Sequence, residues 1–217
     1  MDLYDSHWIL TLLLVLPLVG AAACFFGPIG RVKYVAFGFS VLAFLLSLPL
    51  FWTFNPGAAG FQNEVSLPWI EIWGIHYAIG IDGISLLMVL LTTFITPLAI
   101  AGSFTYIQRR ERAFYSMMLI LLTGMLGVFV ALDLFLFFVF WEIMLIPMYF
   151  LIGIWGGQRR IYSAVKFFLF TAAGSLLMLV AIVTMVYLYG QEYGTPSFAY
   201  QDLLQLNFAP ADRKSVV

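Results

Sequence analysis

The stretch DLFLFFVFWEIMLIPMYFLIGIWGG, residues 133–157, decides the fold of this chain. After its opening aspartate the stretch contains one charged residue, Glu142. A helix needs about 20 mostly apolar residues to cross the hydrocarbon core of a bilayer, and the run from Leu134 to Trp155 has that length and character. The sequence therefore predicts a membrane-spanning helix with an acidic side chain inside it.

The rest of the chain has the same character. Hydrophobic residues make up 63% of it and charged residues 10%, with a mean hydropathy of +1.01, whereas a typical soluble domain is about 25% charged. We predict an all-α integral membrane protein, a bundle of about six transmembrane helices. The predicted spans are 8–26, 34–54, 83–106, 114–132, 134–155 and 162–189. The first is expected to be a retained helix rather than a signal peptide, because Asp2 and Asp5 precede it and no cleavage site follows.

Composition also limits the chemistry of the chain. A net charge of −1 without a basic surface argues against nucleic acid as a partner. Cys24 is the only cysteine, so no internal disulfide and no iron–sulfur cluster held by this chain alone is expected. His7 and His76 lie outside the predicted spans, which gives no support for haem. We expect no metal and no cofactor in this chain.

The basic residues indicate how the bundle is oriented. Apart from Lys166 and two residues near the C-terminus, every lysine and arginine lies in alternate connections: between helices 1 and 2, 3 and 4, and 5 and 6. The positive-inside rule assigns such connections to the cytoplasm. The N-terminus and the end of helix 6 are therefore predicted to lie outside.

The long outer connection, residues 55–82, contains alternating apolar and polar residues. This pattern predicts a short hairpin between helices 2 and 3, with Pro68 at an edge position. Asp82 and Asp133 each precede an apolar run, and both are predicted to cap the helix that follows.

Glu142 is the candidate functional residue. It lies about eight residues into helix 5, roughly 10 Å below the outer boundary. A carboxyl group at a helix centre costs about 2.5–3.5 kcal/mol, so such residues face a bundle interior and commonly mark ion or proton paths. Burial disfavours the charged form and makes a neutral, exchangeable state accessible. The alternative is a structural carboxyl group that a neighbouring hydroxyl or backbone group satisfies. Pro147 removes the helix bond to Ile143 and leaves a free carbonyl group near the acid.

Lys166 is the second candidate, one turn into helix 6. Facing inward, its amine would pass a proton onward; otherwise its long side chain extends to the interface and needs no function. A set of hydroxyls either holds water along a route or bonds to its own helix: Thr92, Thr93, Thr96, Ser103, Thr123, Thr171 and Ser175. Small residues predict close helix contacts: Gly124, Gly127, Gly174 and Ser175.

The run 133–157, followed by RRIYSAVKFFLFTAAGSLLMLVA (159–181), closely resembles the proton-conducting, antiporter-like subunits of respiratory complex I, most nearly those called chain M or chain 4. The pieces PWI, GIDGISLLMVLLTTFITPLAI and MLGVFVALDLF fit the same family, so the resemblance extends to about residue 210. It implies that Glu142, the glutamate of FWE, is a key residue of a proton channel. Lys166 falls on the lysine of AVKFF, whose role is less certain. Multi-subunit cation/proton antiporters and membrane-bound hydrogenases share this helix and stay open as alternatives.

The resemblance also implies partners and a location. It implies a subunit of NADH:quinone oxidoreductase, a translocase in the bacterial inner (plasma) membrane. The implied partners are the lipid bilayer and the other membrane-arm subunits of complex I, with NADH, FMN, iron–sulfur clusters and quinone on partner subunits. The expected divisions are helices 1–3 with the outer loop at 1–106 and the start of the proton-conducting domain at 107–211. The tail at 212–217 departs from the family pattern and is expected to be non-native. Family members have about fourteen helices, and this chain has six.

Overall fold

The computed structural model describes residues 8–58 and 60–206, so the predicted tail at 212–217 lies outside the described part. Six helices in it are long and apolar enough to cross a membrane, which confirms the predicted architecture. These helices are α1 (Ile9–Phe26), α2 (Val32–Thr53), α3 (Gly83–Gly102), α4 (Glu111–Val130), α5 (Leu134–Trp155) and α6 (Arg160–Tyr193). Each differs from its predicted span by only a few residues. A short helix, α7 (Tyr200–Leu203), follows.

Helix α6 is longer than the bilayer requires. Its 34 residues correspond to about 51 Å at 1.5 Å per residue, against a hydrocarbon core of about 30 Å. The helix ends at Gly194, whose φ of 83° lies in the left-handed region that favours glycine. Part of α6 therefore extends beyond the hydrocarbon core unless the helix is strongly tilted.

Between α2 and α3 the chain forms an antiparallel hairpin of β1 (Gln62–Ile70) and β2 (Ile75–Ile81). The register is irregular next to Pro68, which pairs with His76 and has no backbone N–H to donate. The turn ends at Gly74 with φ 66°, and a Cβ atom there would overlap the carbonyl oxygen of Pro196. Glycine is therefore required at this position by both conformation and space.

The three basic connections lie at the same end of the bundle. Tyr34, after the first connection, packs edge-on against Phe104 in the second, with ring centroids 5.7 Å apart. Trp155, at the end of α5, donates its indole N–H to the carbonyl oxygen of Arg109 over 2.9 Å. The alternating basic connections thus mark one face of the protein, and its assignment to the cytoplasm stays a prediction.

Helices α1 to α4 form the main core, and hydroxyl groups connect neighbouring helices inside it. The Ser116 hydroxyl donates to the carbonyl oxygen of Ala21 over 2.9 Å, and the Thr123 hydroxyl donates to that of Leu14 over 3.2 Å. Both bonds join α4 to α1. In a bilayer, where lipid offers no hydrogen-bond partner, such bonds and close packing hold helices together.

Helices α5 and α6 lie at the margin of the bundle. Half of the most apolar part of α4 is buried within the chain, compared with 17% for α5 and for α6. Their own cluster is smaller and lies near the hairpin end: Ile75, Ile182, Val186, Tyr189, Phe198 and Leu203. Much of the apolar surface of these two helices therefore faces outward from this chain.

Contact between α4 and α5 depends on glycine. A Cβ atom on Gly127 would overlap the ring of Phe140, and one on Gly124 would lie 2.5 Å from Cγ of Met144. These close contacts confirm the small-residue prediction for α4. On α6, however, Gly174 has nothing within 4 Å of an added Cβ atom, so this position is open and the prediction was wrong there.

Replacing Gly127 by alanine tests this contact, with Gly174→Ala as the matched control. We expect Gly127→Ala to lower the free energy of unfolding by about 1–3 kcal/mol, because the added methyl group displaces Phe140. Gly174→Ala should be neutral or stabilising, since alanine is the better helix former. Thermal unfolding in detergent measures both, and equal Tm values for the two variants would contradict the close contact.

Candidate functional site: an unpaired carboxyl oxygen between two membrane helices

Helix α5, which carries Glu142, begins at a buried aspartate. The Oδ1 atom of Asp133 accepts hydrogen bonds from the backbone N–H groups of Phe135 (2.9 Å) and Leu136 (3.0 Å), which confirms the predicted cap. Its Oδ2 atom accepts from the backbone N–H of His76 in β2, also over 2.9 Å. With 1% of its surface exposed, Asp133 fixes the start of α5 to the hairpin.

The second predicted cap, Asp82, is also confirmed. Its Oδ1 atom accepts from the backbone N–H of Ser85 over 2.7 Å, and the Ser85 hydroxyl accepts from the Asp82 backbone N–H. The Ser85 N–H lowers the pKa of Asp82 below its usual value, because the hydrogen bond favours the charged form. Capping by Asp82 is therefore fully present at neutral pH and is lost only as pH falls through that lowered pKa.

Two contacts identify the face of α5 that meets α6. The Tyr149 ring packs against Phe168 with centroids 5.6 Å apart, and a Cβ atom on Gly153 would lie 3.5 Å from Cβ of Ala164. Glu142 precedes Tyr149 by seven residues and Gly153 by eleven. Residues at these spacings lie on the same side of a helix with 3.6 residues per turn. Glu142 therefore lies on the face of α5 that is directed at α6.

The level of Glu142 along α6 follows from the same contacts. The two helices are antiparallel, and moving seven residues from the Tyr149–Phe168 contact along each pairs Glu142 with Ser175. Ser175 is buried, with 3% of its surface exposed. Its hydroxyl donates to the carbonyl oxygen of Ala172 in its own helix over 3.0 Å. The acid thus lies opposite a hydroxyl that is already bonded elsewhere.

The Oε1 atom of Glu142 is buried without a hydrogen-bond partner, and no other side-chain nitrogen or oxygen of the described residues is in this state. A buried polar group without a partner costs about 1–3 kcal/mol, and more when it is charged. The alternative of a structural carboxyl group satisfied by a neighbour therefore does not describe this atom within residues 8–58 and 60–206. Oε1 therefore has an unfilled hydrogen-bonding capacity inside the protein.

Pro147 leaves a second free acceptor next to Glu142. Helix α5 continues through Pro147, whose side chain is buried. Because proline has no N–H, the carbonyl oxygen of Ile143 lacks its usual helix partner. A free carbonyl group thus follows Glu142 in the sequence, as predicted.

The fold does not place Lys166 near Glu142. Its side chain is exposed, and Nζ lies 6.0 Å from the ring centroid of Tyr162 one turn earlier in α6. Lys166 precedes Ser175 by nine residues, which is about 14 Å along the axis and half a turn around it. The lysine therefore points away from the α5 contact, toward the end of the bundle with the basic connections.

The predicted hydroxyls mostly bond to their own helices. Side-chain bonds to carbonyl oxygens of the same helix are present for Thr93, Thr96, Ser103, Thr123, Thr171 and Ser175.

Trp141, predicted to pack inside the bundle, is half-buried, stacks on Phe137 and lines a pocket of about 550 Å³ near Asp82. The described residues contain no group of three side chains suited to hold a metal ion.

Sequence comparison assigns the family. The profile described as "NADH-ubiquinone oxidoreductase chain 4, amino terminus" matches residues 9–129, and "NADH:quinone oxidoreductase/Mrp antiporter, TM" matches residues 131–208. The chain belongs to the chain 4 family of NADH–quinone oxidoreductases. The corresponding subunit M of Rhodobacter capsulatus is 46% identical over 189 residues, covering 84% of this chain and 36% of that protein. The chain thus spans well under half the length of this relative.

Solved structures of membrane complexes contain chains with this fold. Respiratory complex I from Thermus thermophilus with bound NADH contains a chain that matches with a TM-score of 0.80 and 30% identity, covering 95% of this chain and 41% of that one. The Mrp complex from Dietzia sp. matches with a TM-score of 0.78 over 95% of this chain and 22% of that one. At 22% identity the second likeness shows a shared fold only.

Asp133 caps α5 and also accepts a hydrogen bond from His76 in the hairpin. Its removal should therefore lower the free energy of unfolding more than removal of an ordinary helix cap. Asp133→Ala should lower the free energy of unfolding by about 2–4 kcal/mol, the sum of a lost cap and an unsatisfied His76 N–H. Asp82→Ala removes a cap without such a link and should lose about 1 kcal/mol. Thermal unfolding compares the two variants, and equal losses would show that the hairpin bond contributes nothing.

Proposed function

We propose that this chain serves proton translocation in the membrane arm of an NADH–quinone oxidoreductase, with Glu142 as the proton carrier. The observation that supports this most directly is the buried Oε1 atom without a partner between α5 and α6. Glu142 lies eight residues, about 12 Å along the axis, from the start of α5. Membership in the chain 4 family supports the assignment to an NADH–quinone oxidoreductase.

The proposed mechanism is a change in protonation that follows a change in local charge. A nearby cation favours the charged form of a carboxyl group, and loss of the cation favours the neutral form. A basic group or hydrated proton that arrives and leaves would thus make Glu142 release and take up a proton. Ser175, opposite, can rotate its hydroxyl from Ala172 toward the carboxylate. The free carbonyl oxygen of Ile143 supplies a further acceptor.

NADH oxidation and quinone reduction would occur on partner subunits that carry NADH, FMN, iron–sulfur clusters and quinone. We propose the other membrane-arm subunits of complex I as partners, and the bacterial inner membrane as the location. The outward apolar faces of α5 and α6 leave room for further protein next to Glu142. The proposed proton-conducting part begins at residue 107, after the first three helices.

We propose Lys166 as a secondary residue of the proton relay, after Glu142. Its exposed position near the basic end suits proton exchange with that surface, and its distance from Ser175 rules out a direct bond to Glu142 within this chain.

An alternative function is a cation/proton antiporter, favoured by the shared fold with the Mrp complex. Such a protein would transport protons without NADH or quinone, and neighbouring coding regions distinguish the two.

Proton exchange at Glu142 can be tested on this chain alone. In difference infrared spectra of the chain in lipid nanodiscs, a pH step should change a carboxylic acid band that Glu142→Gln removes. Glu192→Gln is the matched control, since Glu192 is exposed near the end of α6, and it should keep the band. Identical spectra for the two variants would remove Glu142 as the carrier.

Translocation needs the complete subunit in its complex. There Glu142→Gln should lower proton pumping at least tenfold, because the amide cannot take up and release a proton, while Glu192→Gln should leave it unchanged. Pumping is measured as the pH change in vesicles upon NADH addition. A lost infrared band with normal pumping would mean that Glu142 titrates without conducting.

A further inference from the structure

The end of the bundle with the basic connections contains a pocket of about 620 Å³ between the α3–α4 connection and the start of α6. Arg109 and Arg110 line one side, and Arg160 lines the other. Ile154 and Ile161 form an apolar wall next to them. The pocket therefore combines positive charge with apolar surface at the ends of membrane helices.

Specific contacts hold this pocket together. The Trp155 indole N–H donates to the carbonyl oxygen of Arg109 over 2.9 Å, and the Trp155 ring packs edge-on against Phe114 with centroids 5.2 Å apart. Arg160 donates from Nη1 to the carbonyl oxygen of Ile154 over 3.2 Å. Because a guanidinium group has five N–H donors, that bond leaves several for a ligand.

The positive charge here has little compensation. The three connections and adjoining helix starts, residues 27–33, 103–113 and 156–166, contain eight basic residues and one acidic residue, Glu111. An anion that enters the pocket meets arginines on two sides. Arginine holds phosphate oxygens with its planar fork of donors and does so better than lysine.

Arg110 adopts an unusual backbone conformation at this pocket. As the cap of α4 it has φ 54° and ψ 41°, in the left-handed region. Glycine occupies this region readily, whereas a long side chain is strained there. Strained residues of this kind cluster at ligand sites. The presence of an arginine in this strained conformation indicates a use for its guanidinium group.

We propose that this pocket binds the phosphate group of an anionic phospholipid, with Arg109, Arg110 and Arg160 around the phosphate and the acyl chains along Ile154 and Ile161. A lipid suits the pocket better than free phosphate because Ile154 and the exposed Ile161 place apolar surface directly beside the arginines. Basic pockets between membrane helices bind such headgroups in general. The site needs neither proton transfer nor the redox subunits, so it goes beyond the proposed function.

The test uses the 217-residue chain reconstituted with equal amounts of phosphatidylglycerol and phosphatidylethanolamine. Native mass spectrometry should find phosphatidylglycerol retained in excess. The double variant Arg109→Gln, Arg160→Gln should lower that retention roughly fivefold for each arginine. Arg31→Gln is the matched control, because it removes a charge at the same end but outside the pocket.

Arg110→Gly separates binding from folding. Glycine relieves the left-handed strain, so Tm should rise while phosphatidylglycerol retention falls. Equal retention of the two lipids by the unchanged chain would overturn the proposal, as would an equal loss in Arg31→Gln. Displacement of the lipid by millimolar inorganic phosphate would assign the site to a free anion instead. Glu142→Gln should leave lipid retention unchanged, so failure of the proton proposal and of this one are distinguishable.

Discussion

The bilayer supplies no hydrogen bonds, and this constraint underlies the whole structure. Every polar group that enters the hydrocarbon region must find its partner within the protein. The chain meets this demand with helices, with hydroxyls bonded to carbonyl oxygens across α1 and α4, and with caps at helix ends. Glu142 Oε1 departs from the rule among the described side chains. That exception is the basis of the proposed function.

The position of Glu142 depends on both ends of α5. At one end Asp133 ties the helix start to the hairpin through the His76 N–H, and at the other Trp155 ties the helix end to the α3–α4 connection. Between them, Gly124 and Gly127 allow α4 to approach closely. Since α4 contacts one side of α5 through Phe140 and Met144, Glu142 is left on the opposite side, directed at α6.

The two ends of the bundle have different chemistry. The hairpin end carries Asp82 and Asp133, both used as helix caps. The other end carries arginines, aromatic rings and the pocket near Arg110. A carboxyl group that exchanges protons inside the bundle and a basic surface that holds anionic lipid would thus act at different depths of one membrane protein. Their separation along α5 and α6 keeps the basic charges away from Glu142.

The sequence by itself determined the six spans and the two caps, because each follows from hydrophobicity or local spacing along one helix. It also pointed to Glu142 as the candidate residue, because a charged side chain inside an apolar run is visible from the sequence alone. It also identified Ser175 as a small polar residue of α6, but not as the residue opposite Glu142. Only the tertiary structure decided that pairing, the exposure of Lys166, the open surroundings of Gly174 and the bond from His76 to Asp133. These features depend on the register and rotation of one helix against another. Contacts between side chains that are distant in the sequence determine both.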